Sequence, residues 1–282
     1  MKTLLHLSDL HFGRVDDLLV KPLLTVAHAI APDLVVISGD FTQRARRKEY
    51  RAAQSFLEQL PKPRLVVPGN HDIPLWNVFR RFTDPLRRYR RYITKDPQPF
   101  YQDDEVAVIG INTVRSLTRK YGRVNAEQIE HARVVFAGVS PHLVKVAVTH
   151  HPFDLPPGSH SRLVGRSKMA MEGLAIAGVD LILSGHLHLK HVGLTAQRYS
   201  IEGHCALVAQ AGTTISTRCR GEANSFNVVR IEQSQMTIEH HLWQSGSSDF
   251  RRAASERFVR GGGLWERAAI TEIGARSSCD KG

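Results

Sequence analysis

Cysteine is scarce in this chain of 282 residues: Cys205, Cys219 and Cys279 lie far apart and none forms a C-x-x-C pair. That excludes a disulfide scaffold and a thiolate metal site, and it reads as free thiols in a reducing compartment. Long hydrophobic runs are missing too, since no apolar stretch approaches the roughly 20 residues that span a bilayer. The run Leu4-Leu5-His6-Leu7 is short and broken by a polar group, so it reads as a strand and not as a signal peptide. These absences predict a cytoplasmic protein. Acidic residues are also in short supply: 27 Asp and Glu face 38 Lys and Arg, for a net charge of +11. Excess positive charge favours anionic partners, such as nucleic acid, a phosphorylated substrate or an anionic membrane surface, and it says nothing about the fold. No repeat of fixed period is present, which excludes a solenoid. A hydrophobic content of 42% excludes a disordered chain.

What is present is an alternation of short apolar runs and amphipathic segments. Residues 3–8 read as a strand, 16–31 as a helix with Leu19, Leu23, Val26, Ala27 and Ile30 on one face, and 34–37 as a buried, β-branched strand. A helix over 47–60 and a strand over 64–67 follow. Strand, helix, strand, helix, strand predicts an α/β fold with parallel strands and right-handed crossovers. Further strands are expected at 99–103, 106–111, 143–149 and 181–183, with helices at 126–137 and 167–177. The chain then turns β-rich, with strands expected near 190–195, 198–202, 205–210, 226–232 and 235–243. Residues 244–282, rich in Ser, Gly and Arg, read as a loosely held tail, with an isolated basic helix over Phe250–Arg260.

Residues 76–95 differ in kind: Arg80, Arg81, Arg87, Arg88, Arg90, Arg91 and Lys95 face a single acid, Asp84, with Trp76, Phe79, Phe82, Tyr89 and Tyr92 interleaved. A pair of short helices around Pro85 is expected there, lying over the loop at 69–72. A solvated helix face and a basic, aromatic lid are both open readings of this segment.

Polar residues follow five of the expected buried strands: Asp9 and His11, Asp40, Asn70 and His71, His150 and His151, and His186 and His188. One Asp after a strand is an ordinary turn former, and one His is an ordinary satisfied side chain. Five coincidences at the carboxyl ends of strands, where open α/β sheets bind ligands, point to one site. Oxygen and imidazole donors without thiolate suit Mn, Fe, Zn or Co. The x-y-x spacing of Asp9-Leu10-His11 and His186-Leu187-His188 places each polar pair on one side of an extended chain. Two metals about 3.5–4 Å apart can polarise a phosphoryl group and hold a hydroxide for in-line attack.

Asp9-Leu10-His11, Gly39-Asp40, Gly69-Asn70-His71-Asp72, His150 and Gly185-His186-Leu187-His188, in this order, resemble the complete motif set of the calcineurin-like metallophosphoesterase superfamily. The resemblance spans residues 1–243 and implies one metallophosphoesterase domain, with 76–95 a basic lid within it and 244–282 a tail. It implies a four-layer α/β/β/α sandwich of two mixed β-sheets flanked by helices. It also implies two divalent metal ions: one held by Asp9, His11, Asp40 and His188, the other by Asp40, Asn70, His150 and His186, with Asp40 bridging. His71 would then face the phosphate as a catalytic residue, and Asp72 would orient His71. Of the two adjacent histidines His150 is preferred as ligand because it comes first off its strand, which leaves His151 in an outer or substrate-side role.

The strand–helix start and the segment Ala211-Gly212-Thr213-Thr214 look like the bacterial group of class III cyclic-nucleotide phosphodiesterases and glycerophosphodiesterases. Phosphodiester hydrolysis is therefore the first expectation. The arginine segment keeps a second reading open, a UDP-2,3-diacylglucosamine-type pyrophosphatase working at a membrane surface, with Arg87, Arg88, Arg91 and His151 as substrate contacts. The same segment admits peripheral contact with an anionic membrane. Nuclease action and a non-catalytic scaffold are lesser readings: no added DNA-binding domain is evident, so no stable nucleic-acid partner is expected, and no ligand residue is missing. The loop containing Arg218 and Arg220 reads as an ordinary polar hairpin outside the site.

Overall fold

The structure, a computed structural model, describes residues 1–268. Three strands, β1 (Lys2–Leu7), β2 (Leu34–Ile37) and β3 (Arg64–Val66), run parallel to one another. Helices α1 (Asp17–Ile30) and α2 (Arg47–Gln59) connect them. The side chain of Asp16 caps α1 by accepting from the Leu18 amide, and Leu19, Leu23 and Ala27 form its buried stripe. Two short helices, α3 (Val78–Thr83) and α4 (Arg87–Tyr92), flank Pro85.

The second sheet is built from β4 (Phe100–Gln102), β5 (Val106–Gly110), β6 (Val144–Val148), β7 (Leu181–Ser184), β8 (His191–Leu194) and β9 (Leu207–Gln210). Its order is β4-β5-β6-β7-β9-β8, with β5, β6, β7 and β9 parallel and the two edge strands antiparallel. Helices α5 (Ala126–Ala137) and α6 (Ser167–Ile176) cover it. Asn125 caps α5 reciprocally with Gln128, each accepting from the other's backbone amide.

After β9 the chain returns to the first sheet. Strands β10 (Ser225–Glu232), β11 (Gln235–Gln244), β12 (Asp249–Gly261) and β13 (Leu264–Arg267) add to it antiparallel, giving the order β13-β12-β11-β10-β1-β2-β3. Three apolar clusters fill the three interfaces of a four-layer sandwich. Leu5, Val35 and Ile37 meet α1 and α2 on one outer face; Ile109, Ala147 and Ile182 meet α5 and α6 on the other. Val36, Leu65, Val146, Val148, Leu183, Phe258 and Trp265 pack between the two sheets.

Two expectations are corrected. Residues 198–202 form no strand: Thr195–Gln197 is a 3-10 turn, and the Tyr199 amide bonds back to the Thr195 carbonyl, so the ladder partners are spent locally. Residues 249–267 are neither loose nor helical, because they supply β12 and β13, and Phe258 and Trp265 are fully buried between the sheets. The rest of the expected tail, with Cys279, lies outside the described residues. Among the described residues no helix is long and apolar enough to cross a membrane.

Candidate metal centre

The parallel strands of both sheets end on the same side of the sandwich, and the polar residues that follow β1, β2, β3, β6 and β7 converge there. The chain does not reach this point by staying extended. Asp9, His11, Asp40, His186 and His188 have φ of 53°, 47°, 54°, 74° and 60°, in the left-handed region. The x-y-x pairs are therefore not one side of an extended chain, as their spacing suggests. Each is a tight left-handed bend that turns both polar groups into the centre and buries Leu10 and Leu187 behind them. Asp and His tolerate this backbone better than most side chains, but a strained residue still costs about 1–3 kcal/mol. Glycine makes the close approach possible: a Cβ on Gly69 would lie 2.1 Å from Asp40 Oδ1, and one on Gly185 would lie 1.9 Å from Ser8 Oγ.

The distances divide the site into two touching halves. In the first, Asp9 Oδ1 lies 3.5 Å from the Nε2 atoms of both His11 and His188. In the second, His150 Nε2 lies 3.2 Å from Asn70 Oδ1 and 3.3 Å from His186 Nδ1. Asp40 stands between them, with Oδ2 3.7 Å from His11 Nε2 and 3.4 Å from His150 Nε2. The ring atoms facing away from the centre are tied down. His150 Nδ1 bonds the Ser38 carbonyl at 2.7 Å, and His188 Nδ1 lies 2.6 Å from Thr213 Oγ1. Such bonds fix ring orientation and leave the other nitrogen facing inward.

Several buried atoms of this cluster have no hydrogen-bond partner: Asp9 Oδ1, both ring nitrogens of His11, and Nε2 of His186. A buried, unpaired polar atom is costly, and a cluster of them lining one space is the arrangement a cation relieves. The donors are carboxylate, amide oxygen and imidazole, which suits borderline divalent metals. The clusters of His and Asp are thus able to bind metal ions. Electrostatics agree. Burial alone pushes the Asp9 and Asp40 carboxyls up, but His188 beside Asp9 and His150 beside Asp40 outweigh it and hold both well below the usual carboxylate range. Burial pushes His186 down to about 3 and His188 down to about 4, so both are neutral donors near pH 7. For His150 burial is opposed by the Asp40 carboxylate, which lifts it to about 9. A proton there is the charge a cation replaces.

The turn Asn70–Asp72 forms the open side, where Asn70 and His71 are partly exposed. The ring of His71 is held by the Gln43 carbonyl, 2.8 Å from Nδ1, and its amide donates to Asp40 Oδ1 at 2.8 Å. Asp72 does not orient that ring, contrary to expectation. Its carboxylate is spent on the amides of Gly69, Phe41 and Thr42 at 2.9–3.1 Å and on the Thr42 hydroxyl, so it clamps the β2 and β3 loops together. Burial and the neighbouring Asp40 push Asp72 up to about 7 against these donors.

Of the two roles left open for His151, its full burial fits the outer one and not the substrate side. Its Nδ1 lies 2.6 Å from Thr113 Oγ1, and the chain at Gly122 packs against the ring. Its Nε2 is unpaired, and its ring nitrogen groups with those of His150 and His186. Arg87, Arg88 and Arg91 are not brought to the metal cluster but line a cavity on whose wall Asp72 also lies. One residue left outside the expected site belongs to its mouth. Arg218, in the loop after β9, places Nη1 3.0 Å from His71 Nε2 and 3.4 Å from Gln43 Oε1. Positive charge in its loop is its only signal in the sequence.

Comparison with known proteins agrees with this geometry. A glycerophosphodiester phosphodiesterase GpdQ from Enterobacter lignolyticus is 49% identical over 41 residues, covering 14% of this chain and 15% of that protein. A probable cyclic nucleotide phosphodiesterase from Synechococcus sp. is 27% identical over 173 residues, 56% of this chain and 58% of that one. The matches therefore span less than two thirds of either relative. A dimetal phosphatase from Danio rerio shares the fold with a TM-score of 0.64 at 11% identity, covering 92% of this chain and 99% of that one. A purple acid phosphatase from yellow lupin does so at 0.61 and 13%, covering 91% and 53%. The sequence profile of the calcineurin-like phosphoesterases matches residues 2–190, two thirds of the chain, and the protein belongs to that family.

Proposed function

We propose that the protein is a dinuclear, metal-dependent phosphodiesterase. Membership of the family implies a hydrolase acting on phosphoesters. The observation that carries the dinuclear reading is the position of Asp40, whose carboxylate faces His11 on one side and His150 on the other. Asp9, His11, Asp40 and His188 would hold one cation, and Asp40, Asn70, His150 and His186 the other. Two divalent cations supply Lewis-acid polarisation of the phosphoryl group and a nucleophile available at neutral pH.

The other steps fall to the chain. Arg218, unpaired with any carboxylate among the described residues, offers its guanidinium to the non-bridging phosphoryl oxygens. Burial holds His71 below the ordinary imidazole range, so the resting ring is neutral with its lone pair at Nε2. That atom, on the open side of the centre, can take up a proton from solvent and deliver it to the leaving oxygen, and the departing alcohol carries the proton away. The Asp72 clamp keeps the His71 turn in register with Asp40. The two curated relatives are named for phosphodiesters, which supports a diester over a monoester.

A second reading, hydrolysis of a lipid-linked diphosphate at a membrane surface, is favoured by the apolar face beside the arginines. Trp76 and Phe79 are 76% and 77% exposed there. A panel assayed with Mn²⁺ separates the readings: cyclic AMP, a glycerophosphodiester, UDP-diacylglucosamine and single-stranded DNA. Turnover of the first two supports a small-molecule diesterase, preferred turnover of the third supports the second reading, turnover of DNA alone would make the diesterase a nuclease, and turnover of none of the four contradicts both readings.

A further inference from the structure

Helices α3 and α4, with residues near Ala45 and Pro74, enclose a cavity of about 260 Å³. Five arginines line it, Arg47, Arg80, Arg87, Arg88 and Arg91, and no candidate metal ligand does. Two carboxylates share the wall, and neither neutralises these charges. Asp72 is spent on backbone amides, and Asp84 pairs with Arg90, which does not line the cavity. None of the five lining arginines pairs with a carboxylate among the described residues. Two are nonetheless anchored by neutral acceptors. Arg88 Nη1 donates to the Ala45 carbonyl at 2.6 Å, and Arg47 Nε donates to Tyr92 Oη at 3.1 Å.

A solvated helix face would let its cations spread into water. Here anchoring bonds hold guanidinium groups around a common space, at a cost in mutual repulsion that a bound anion relieves. Planar guanidinium forks match phosphoryl oxygens two bonds at a time. The volume lies below the roughly 300–1,000 Å³ of sites for drug-sized ligands, so the bound portion is small.

We propose that this cavity is a second anion site, taking a phosphoryl or diphosphate group, apart from the metal centre and joined to it through the Asn70–Asp72 turn. Its ligand is either the far end of an extended substrate or a free anion that acts on the turn from behind. Binding itself does not rest on the diesterase reading.

The test is calorimetric titration of inorganic pyrophosphate into the full-length protein, into Asp40→Asn and into Arg87→Gln/Arg91→Gln, with Arg133→Gln as a surface control. Expected is binding at this site in the wild type, in Asp40→Asn and in the control, weakened at least about tenfold by the double arginine variant. Arg87 and Arg91 are exposed, and an unchanged thermal midpoint excludes misfolding as the cause. Equal affinity in the double variant, or binding lost in Asp40→Asn and kept in the double variant, overturns the proposal. Kinetics assign the source. A substrate end raises KM in the double variant at least about tenfold more for a nucleotide sugar than for bis(p-nitrophenyl) phosphate. A free anion makes pyrophosphate change wild-type kcat non-competitively, an effect the double variant loses. Failure of the diesterase reading would appear separately, as hydrolysis that Asp40→Asn leaves intact.

Discussion

Asp9, His11, Asp40, His186 and His188 account for five of the nine non-glycine residues with positive φ among the described residues. Strain gathered on the residues whose buried atoms lack partners marks a site that the fold supports at a cost in stability. Close packing makes that support brittle. In Gly69→Ala the new methyl must displace the Asp40 carboxylate, and an error of about 1 Å can cost about 100-fold in rate. We expect Gly69→Ala to lower metal-dependent turnover by about that factor and to lower the bound metal measured by mass spectrometry. The open side behaves differently. His71→Ala should lower kcat by about 10²–10⁴ with metal content unchanged. Arg218→Gln should raise KM for a phosphodiester by about tenfold or more, read from steady-state kinetics. Loss of metal in either variant would move that residue from the chemistry to the scaffold.

At the scale of elements, β12 and β13 hold the two sheets together. Trp265 and Phe258 fill the space between the sheets, and Trp265 Nε1 donates to Asp180, whose other oxygen accepts from the Lys145 amide at the start of β6. Trp265→Ala should destabilise the fold by about 3–5 kcal/mol in urea denaturation. A change below about 1 kcal/mol would mean that these strands contribute little. The sequence conceals them for a physical reason. In β12 only Phe250 and Phe258 are buried, while Arg251 to Ser255 are exposed, so no apolar run announces a strand. The glycine run that reads as a linker is a hairpin. Gly261 pairs with Leu264 across Gly262 and Gly263, whose φ of 58° and 87° suit a two-residue turn. The buried parallel strands were legible because both their faces are covered and their sequences are continuously apolar. The motif residues were legible because each follows such a strand directly. Arg218 was not, since it meets His71 across 147 positions of chain.

Another element-scale contact predicts a pH effect. Asp154, just after the β6 loop, accepts from His191 at 2.9 Å and from Arg198 at 2.5 Å. Burial pushes its carboxyl up, but these donors win and hold it below the usual range. Its stabilising effect is therefore complete above the roughly pH 3.9 of an unfolded aspartate and fades as pH falls through the lower folded value. Asp154→Asn should cost about 2 kcal/mol at pH 7, a gap that urea midpoints show closing below about pH 4. A gap independent of pH would assign the contact to shape and not to charge.

For the whole molecule, the arrangement of two sheets is what creates the site. Asp9, Asp40 and Asn70 come from the first sheet, and His150, His186 and His188 from the second, so neither half of the centre exists unless the sandwich closes. The chain carries a net charge of +11, and residues 76–95, with seven basic residues against Asp84, supply +6 of it, more than half. The central claim is that one carboxylate, Asp40, serves two cations at once. It is tested most directly by counting manganese in the dialysed wild type and in the shape-preserving variant Asp40→Asn, beside the rate of bis(p-nitrophenyl) phosphate hydrolysis. Two ions are expected per wild-type chain, at most one in Asp40→Asn, with hydrolysis reduced to background in the variant. Two bound ions and wild-type turnover in Asp40→Asn would contradict it.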